Sequence, residues 1–364
     1  MIEYFFTFGI VIVLTAIAQY CYKKNKILSY VCSFLSICIL SLIAALRRLD
    51  VGVDIKVYGL DFFNACRYFS KMSSYIAFYK NEQLYFALNY IVFHLTQNIR
   101  VLFFIMQFFI ASIVYIIAYD NMKKRDTNIL LYVIAYLFLW FNTSLNILRQ
   151  SLAIFVILYA FKYIENKNYF AYFIAVIIAT LFHSSAIVCV VIPLVDYIAK
   201  KKNWKTYLIS SIVVIYFILF NIRIVAMLLN KINVMPDKYL LYLSRDGNMI
   251  TYYAILKLIM IVVVAMYFKK SENNEINRTL FSICVYDVVL YTLSYFIKYG
   301  YRISYYFLPH MILLLPRMEA DLRKSKGRST FILVSIILLI VYWVVRYSIV
   351  KYDGTIPYNF YWEV

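Results

Sequence analysis

The chain contains no G-x-x-x-x-G-K-S/T loop, so it offers no phosphate cradle for ATP-driven pumping. It has no H-E-x-x-H and no G-x-S-x-G elbow, which removes two common hydrolase patterns. Its three histidines, His94, His183 and His310, are scattered, so a zinc site is not expected. None of its six cysteines (Cys21, Cys32, Cys38, Cys66, Cys189 and Cys284) forms C-x-x-C, and all but Cys66 sit in apolar runs. They read as small packing residues with no disulfide framework. There is no Gly/Ser-rich linker, no low-complexity tract and no clear internal repeat, so residues 1–364 read as one domain.

What the chain does have is apolar length. It is 64% hydrophobic with a mean hydropathy of +0.76. A soluble domain of this size would need a polar surface that this composition does not supply. The apolar runs are continuous and near bilayer length, which predicts an all-α, polytopic helical membrane protein and argues against a β-barrel. About twelve spans are expected, near 3–22, 27–46, 100–119, 128–142, 147–163, 169–182, 184–199, 206–221, 251–268, 279–297, 303–316 and 329–347. The first reads as a spanning helix and not as a removable signal peptide, because it lacks a basic leader and an A-x-A site.

Lys and Arg total 37 against 18 acidic residues, a net charge of +19. In a soluble protein that would suggest nucleic acid. Here the basic residues punctuate the spans, in KKNK, KKRD, ENKN, KKKNWK, KKSENNEINR and RMEADLRKSKGR, so they read as topology signals facing the cytoplasm. The partner implied is membrane lipid, with no nucleic acid. Both termini then lie outside, and 47–99 and 222–250 become extracytoplasmic loops. Two choices carry this topology: 169–199 is two short helices hinged near His183, and 84–97 is an amphipathic or re-entrant element.

That topology collects polar residues on one side. Arg47, Arg48, Asp50 and Asp54 follow the second span in LRRLDVGVD. Arg149 and Gln150 open the fifth, His183 lies between the sixth and seventh, and Arg302 opens the eleventh. Arg223 and Arg245 lie in the second large loop. Singly, each Arg is readily explained as snorkelling to headgroups. Glu82 and Asp61 read as solvated, and Lys257 and Asp287 as a pair inside apolar spans. Arg47 and Arg48 beside Asp50 are also compatible with a local surface ion-pair cluster.

Convergence favours a functional reading. Arg binds phosphate oxygens bidentately and keeps its charge, which suits a lipid-linked diphosphate at headgroup depth. A fixed cation would stabilise the charge that grows on a departing diphosphate. An attacking hydroxyl needs a base, for which His183 and Asp54 are the candidates. The carboxylates of DVGVD are spaced for a cation, but their basic setting makes obligatory Mg²⁺ the weaker reading. No metal or other cofactor is expected.

The segments LRRLDVGVDIKVY, LNILRQSLAIFVILYAFKYIENKNYFAYFIAVIIATLFHSSAIV, YRISYYFLP and IPYNFYWEV resemble the EpsG-type exopolysaccharide polymerases, relatives of the Wzy-like O-antigen and capsule polymerases. The R-Q-x-x-A followed by F-H-S-S is the most specific part. The resemblance implies a fold similar to the C-class helical glycosyltransferases. It also implies a bacterial plasma-membrane enzyme that joins undecaprenyl-diphosphate-linked oligosaccharide repeats at the outer face. A chain-length regulator would be a further partner. By the resemblance, Arg149, His183 and Arg302 fall on motif positions near the catalytic cavity, and Arg47, Arg48 and Asp54 match the first outer-loop motif. The family more often has Thr before that Asp, whereas this chain has Val53. The alternatives are a lipid-linked glycan flippase, which is a transporter that would also bind diphosphate through Arg, and a ligase or single-sugar transferase of the same architecture.

Overall fold

The computed structural model describes residues 1–221, 227, 231, 251–296 and 299–363. Arg223, Arg245 and most of the 222–250 segment lie outside the described residues. In chain order the helices are α1 (Ile2–Cys21), α2 (Lys26–Leu46), α3 (Leu60–Ala65), α4 (Met72–Tyr79), α5 (Gln83–Thr96) and α6 (Ile99–Arg125). Then come α7 (Ile129–Tyr136), α8 (Asn142–Asn146), α9 (Leu148–Glu165), α10 (Tyr169–Phe182), α11 (Ile192–Ala199) and α12 (Trp204–Phe220). The last are α13 (Thr251–Phe268), α14 (Glu275–Tyr291), α15 (Leu293–Phe296), α16 (Tyr301–Ser304), α17 (Met311–Asp321) and α18 (Arg328–Trp343). No strand occurs among the described residues; one isolated antiparallel bridge joins Arg47 to Phe360. The protein is an all-α polytopic membrane protein.

Seven helical stretches are long and apolar enough to cross a membrane among the described residues: 2–21, 26–46, 99–125, 129–146, 251–268, 275–296 and 328–349. Three more, 169–182, 184–199 and 204–220, are apolar but shorter. The twelve expected spans fall mainly on helix along their described residues, the tenth broken at Thr292 and the eleventh by a turn at Tyr305–Phe307. The expected hinge is present too: α10 stops at Phe182, His183 is extended, and a 3₁₀ segment, Ser184–Val191, follows.

Helix starts have a repeated local cause. Asn25, Asn98, Asn128, Asn168 and Asn274 each accept a backbone N–H of their helix's first turn. Such a cap stabilises a helix by about 1 kcal/mol and fixes where it begins.

The chain forms two compact units, Met1–Ile187 with Leu315–Val364, and Val188–Leu314. In the first, α1 packs on α2, α2 on α6, α6 on α7 and α9, and α9 on α10. Hydroxyls link these helices where water is absent. Thr15 bonds Tyr115 at 2.6 Å, and Ser29 and Ser33 bond Tyr119 at 2.7 and 2.8 Å. Each such bond contributes roughly 0.6 kcal/mol in a membrane bundle, but leaving the groups unbonded would cost more. In the second unit α14 is central, packing on α11, α13 and α16. The expected Lys257–Asp287 pair forms there at 2.6 Å, and Asp196, fully buried, accepts from Lys200 and Thr279 at 2.5 and 2.9 Å.

Within the first unit, residues 350–363 fold back on the loop after α2. The Arg48 amide donates to the Asn359 carbonyl (2.8 Å), Tyr361 N–H to Leu46 (2.9 Å) and Gly52 N–H to Gly354 (2.9 Å). Asp353, 2% exposed, holds this return in place. It accepts from Thr143 (2.9 Å), Asn146 (3.0 Å) and Arg346 (3.1 Å). Asn146 in turn accepts the Asp54 amide at 2.8 Å. Gly52 is required here: its φ is +104°, and a Cβ would meet the Leu145 carbonyl at 3.2 Å.

Asp353→Ala removes the acceptor of three buried hydrogen bonds and the carboxylate of the Arg346 ion pair. It is expected to destabilise the protein by on the order of 3 kcal/mol, seen as a lower thermal unfolding midpoint in detergent. Asp353→Asn, which keeps an acceptor oxygen, should fall between the two.

Candidate functional site

Three breaks in helical structure bring the principal side chains together. Ile147 (φ −87°, ψ 67°) interrupts the chain between α8 and α9, so Arg149 lies in the first turn of α9. His183 is the extended residue that ends α10. Glu82 precedes α5 in a left-handed conformation (φ 59°, ψ 45°), and Lys80 two residues earlier also has positive φ (64°). Left-handed backbone is uncommon for residues with long side chains and is concentrated at functional positions.

The two oxygens of Glu82 are shared between the other two residues. Oε2 accepts from Arg149 Nη1, and Oε1 lies 2.5 Å from His183 Nδ1 and 3.4 Å from the Ser184 amide. Glu82 is buried (7% exposed), whereas the side chains of Arg149 and His183 keep 23% and 19% of their surface open. The expectation of a solvated Glu82 is therefore corrected. A carboxylate between an Arg and a His gains enough from both to leave water, and solvent exposure is not its lowest state here. No sequence motif marked it; the polar run KNEQ looks like an ordinary loop.

Arg149 is also enclosed by aromatic rings. Its guanidinium carbon lies 5.6 Å from the Tyr58 ring, 5.1 Å from Phe62 and 5.6 Å from Tyr85. These cation–π contacts orient the planar group without consuming its N–H donors. Tyr58 and Phe62 follow directly on the Asp54 loop, which the Asn146 bond ties to the α8–α9 corner three residues before Arg149. The structure thus brings together the Asp54 segment, Arg149 and His183, with Asp54 half-buried.

The remaining sequence candidates are placed differently. Arg48 forms a two-point pair with Asp50 at 2.8 and 2.5 Å and is half-exposed. Arg47 is fully buried, and its three guanidinium nitrogens have no hydrogen-bond partner. It lies over the Phe103 ring at 4.5 Å, beside a void too tight for water. Burial pulls its pKa down to about 10, so it stays charged at neutral pH. In this position it packs at the end of α2 with its guanidinium buried. The surface ion-pair expectation holds for Arg48 and fails for Arg47, because Arg48 pairs with Asp50 whereas the Arg47 guanidinium turns inward over Phe103 of α6. Gln150 is buried beside Arg149 (2% exposed). Arg302 belongs to the second unit, where its guanidinium lies 5.3 Å from the Tyr299 ring.

Burial pushes the Glu82 carboxyl up, but the hydrogen bond and charge of His183, then those of Arg149, outweigh it, so it titrates below its ordinary value of 4.5. A depressed carboxyl pKa adds stability that is complete above pH 4.5 and is lost as pH falls through the folded value. Glu82→Gln should therefore be less stable than the parent at neutral pH, and the gap should close on acidification below pH 4.5. Unfolding midpoints across pH 3–7 in detergent would measure this; a gap independent of pH would contradict it.

A family model described as the EpsG family matches residues 30–360. No curated protein and no solved structure matches the chain. The matched region begins inside α2, ends in the returning tail, and contains every element of the Glu82 cluster. The chain belongs to the EpsG family.

Proposed function

We propose that the protein joins lipid-linked oligosaccharide repeats into an exopolysaccharide at the outer face of the bacterial plasma membrane, with undecaprenyl diphosphate as leaving group. Family membership supports the polymerase-like role. The observation that carries the chemistry is the convergence of Arg149, Glu82 and His183 from α9, the start of α5 and the end of α10.

An ionised carboxylate only accepts hydrogen bonds, so the His183 Nδ1 facing Glu82 carries a proton. In the neutral ring Nε2 then holds the lone pair. In the proposed step, Nε2 takes the proton from the acceptor sugar hydroxyl, and the resulting oxygen attacks the donor's anomeric carbon. The bond from that carbon to the diphosphate oxygen breaks with its electron pair, and undecaprenyl diphosphate departs. Arg149 has one nitrogen on Glu82, leaving donors for the phosphate oxygens. Its charge offsets the negative charge growing on the leaving group. Glu82 stabilises the imidazolium formed meanwhile, and so acts as a positioning residue. Asp54, on the neighbouring loop, is the alternative base. Arg47, Arg48 and Arg302 are candidates for further phosphate contacts, and Gln150, Arg223 and Arg245 for other substrate contacts.

The test is extension of lipid-linked repeats by purified protein in detergent, read as a ladder of products. Arg149→Ala should lower the rate by roughly 10²–10³-fold, and Arg149→Lys should recover only part, since Lys lacks the planar fork. His183→Ala should lower it by about 10²–10⁴-fold. Full extension by Arg149→Ala at normal protein level would remove this residue from the site. Transfer of lipid-linked repeats across a sealed bilayer without extension would indicate a flippase.

A further inference from the structure

At the other end of the first unit is a cavity of about 540 Å³ that no step of the proposed reaction uses. It opens where α1 and α6 end and α7 and α18 begin. Its walls include Lys23, Lys123, Arg323, Arg328, Gln19 and Asn128. It lies far from Glu82: α9 carries Arg149 in its first turn and Glu165 at its end, and Glu165 pairs with Arg125 at the end of α6. Eighteen residues of helix separate those ends, about 27 Å.

The cations around this cavity are of two kinds. Arg323 is paired with Asp126, and Arg328 donates through Nε to Glu319 at 2.7 Å, so both guanidinium groups are fixed. Lys23 and Lys123 are exposed, and among the described residues no carboxylate pairs with either. Four cations therefore face two carboxylates. Two neutral donors join them. The Leu130 amide donates to Gln19 Oε1 (3.1 Å) and to Asn128 Oδ1 (2.9 Å), which commits both side-chain oxygens and leaves both NH₂ groups to donate. The N-terminus of α7 adds further positive potential.

We propose that this cavity binds a phosphate-bearing anion, and that in the membrane its occupant is the headgroup of an anionic phospholipid. The volume falls within the roughly 300–1,000 Å³ range of small-ligand sites. The position, at the ends of bilayer-length helices, is the depth at which phosphodiesters lie, and a basic pocket between transmembrane helices suits them. Four chain segments meet there, so an occupant would tie α1, α6, α7 and the start of α18 together. The assignment is independent of the reaction proposed for Arg149.

The experiment uses the full chain in nanodiscs of phosphatidylcholine, with or without phosphatidylglycerol. Lipid adducts are read by native mass spectrometry and unfolding midpoints by heating. Lys23→Ala/Lys123→Ala is compared with Lys26→Ala/Lys124→Ala, which removes the same charge from lysines that do not line the cavity. Phosphatidylglycerol should raise the parent midpoint, and the first double variant should retain that lipid roughly tenfold or more less tightly, while the second stays near the parent. A rise produced equally by inorganic phosphate in phosphatidylcholine alone would keep the site and assign it to soluble phosphate. Equal loss in both double variants, or no response of the parent to either anion, would overturn the proposal. The adduct measurement needs no heating, so it decides the matter even for a variant of low stability.

Discussion

One carboxylate organises the candidate centre. Glu82 bonds Arg149 through one oxygen and His183 through the other, joining segments 67 and 101 residues distant in sequence. A guanidinium and an imidazole at the end of apolar helices would otherwise turn toward headgroups or water. With the carboxylate between them, both are fixed in orientation and still partly open. Burying an acid is costly, and that cost is offset only because both partners are in place. The left-handed backbone at Lys80 and Glu82 adds strain at the same point. Stability is thus spent locally where a preorganised arrangement is useful.

The same rule, that a polar group away from water must find a partner, shapes the rest of the first unit. Asn142, Thr143 and Asn146 in α8 are buried, and each bonds outside its own helix. Asn142 accepts from Trp343 and donates to Thr355, while Thr143 and Asn146 donate to Asp353. This short helix joins the tail, the Asp54 loop and the start of α9, and so sets where Arg149 begins. Arg47 departs from it: a buried cation with aromatic contact and no side-chain hydrogen bond.

Much of this was legible in the sequence because it depends on neighbours along the chain. Apolar length marked the helices, and the hinge at His183 and the Lys257–Asp287 pair followed from pattern alone. Arg149 and His183 stood out as polar residues beside apolar runs. What was illegible depends on distant segments. Glu82 sits in a run indistinguishable from a solvated loop, and only the folded positions of α9 and α10 make it a buried acid. Arg47 and Arg48 are chemically identical neighbours, yet one is buried and the other half-exposed, because Arg47 turns inward over Phe103, far away in sequence, and Arg48 pairs with Asp50.

The return of residues 350–363 to the loop after α2 has a bearing on how the protein is made. Tyr358 bonds the Ile43 carbonyl across 315 residues, and Thr355 accepts the Tyr4 hydroxyl across 351. During synthesis, α1 and α2 enter the bilayer long before these partners leave the ribosome. The loop carrying Asp54 must then wait in an unfinished state, its amides solvated, until nearly all the remaining helices have been inserted. Assembly of the candidate centre is thereby tied to completion of the bundle, and a nascent chain stalled midway would lack its geometry.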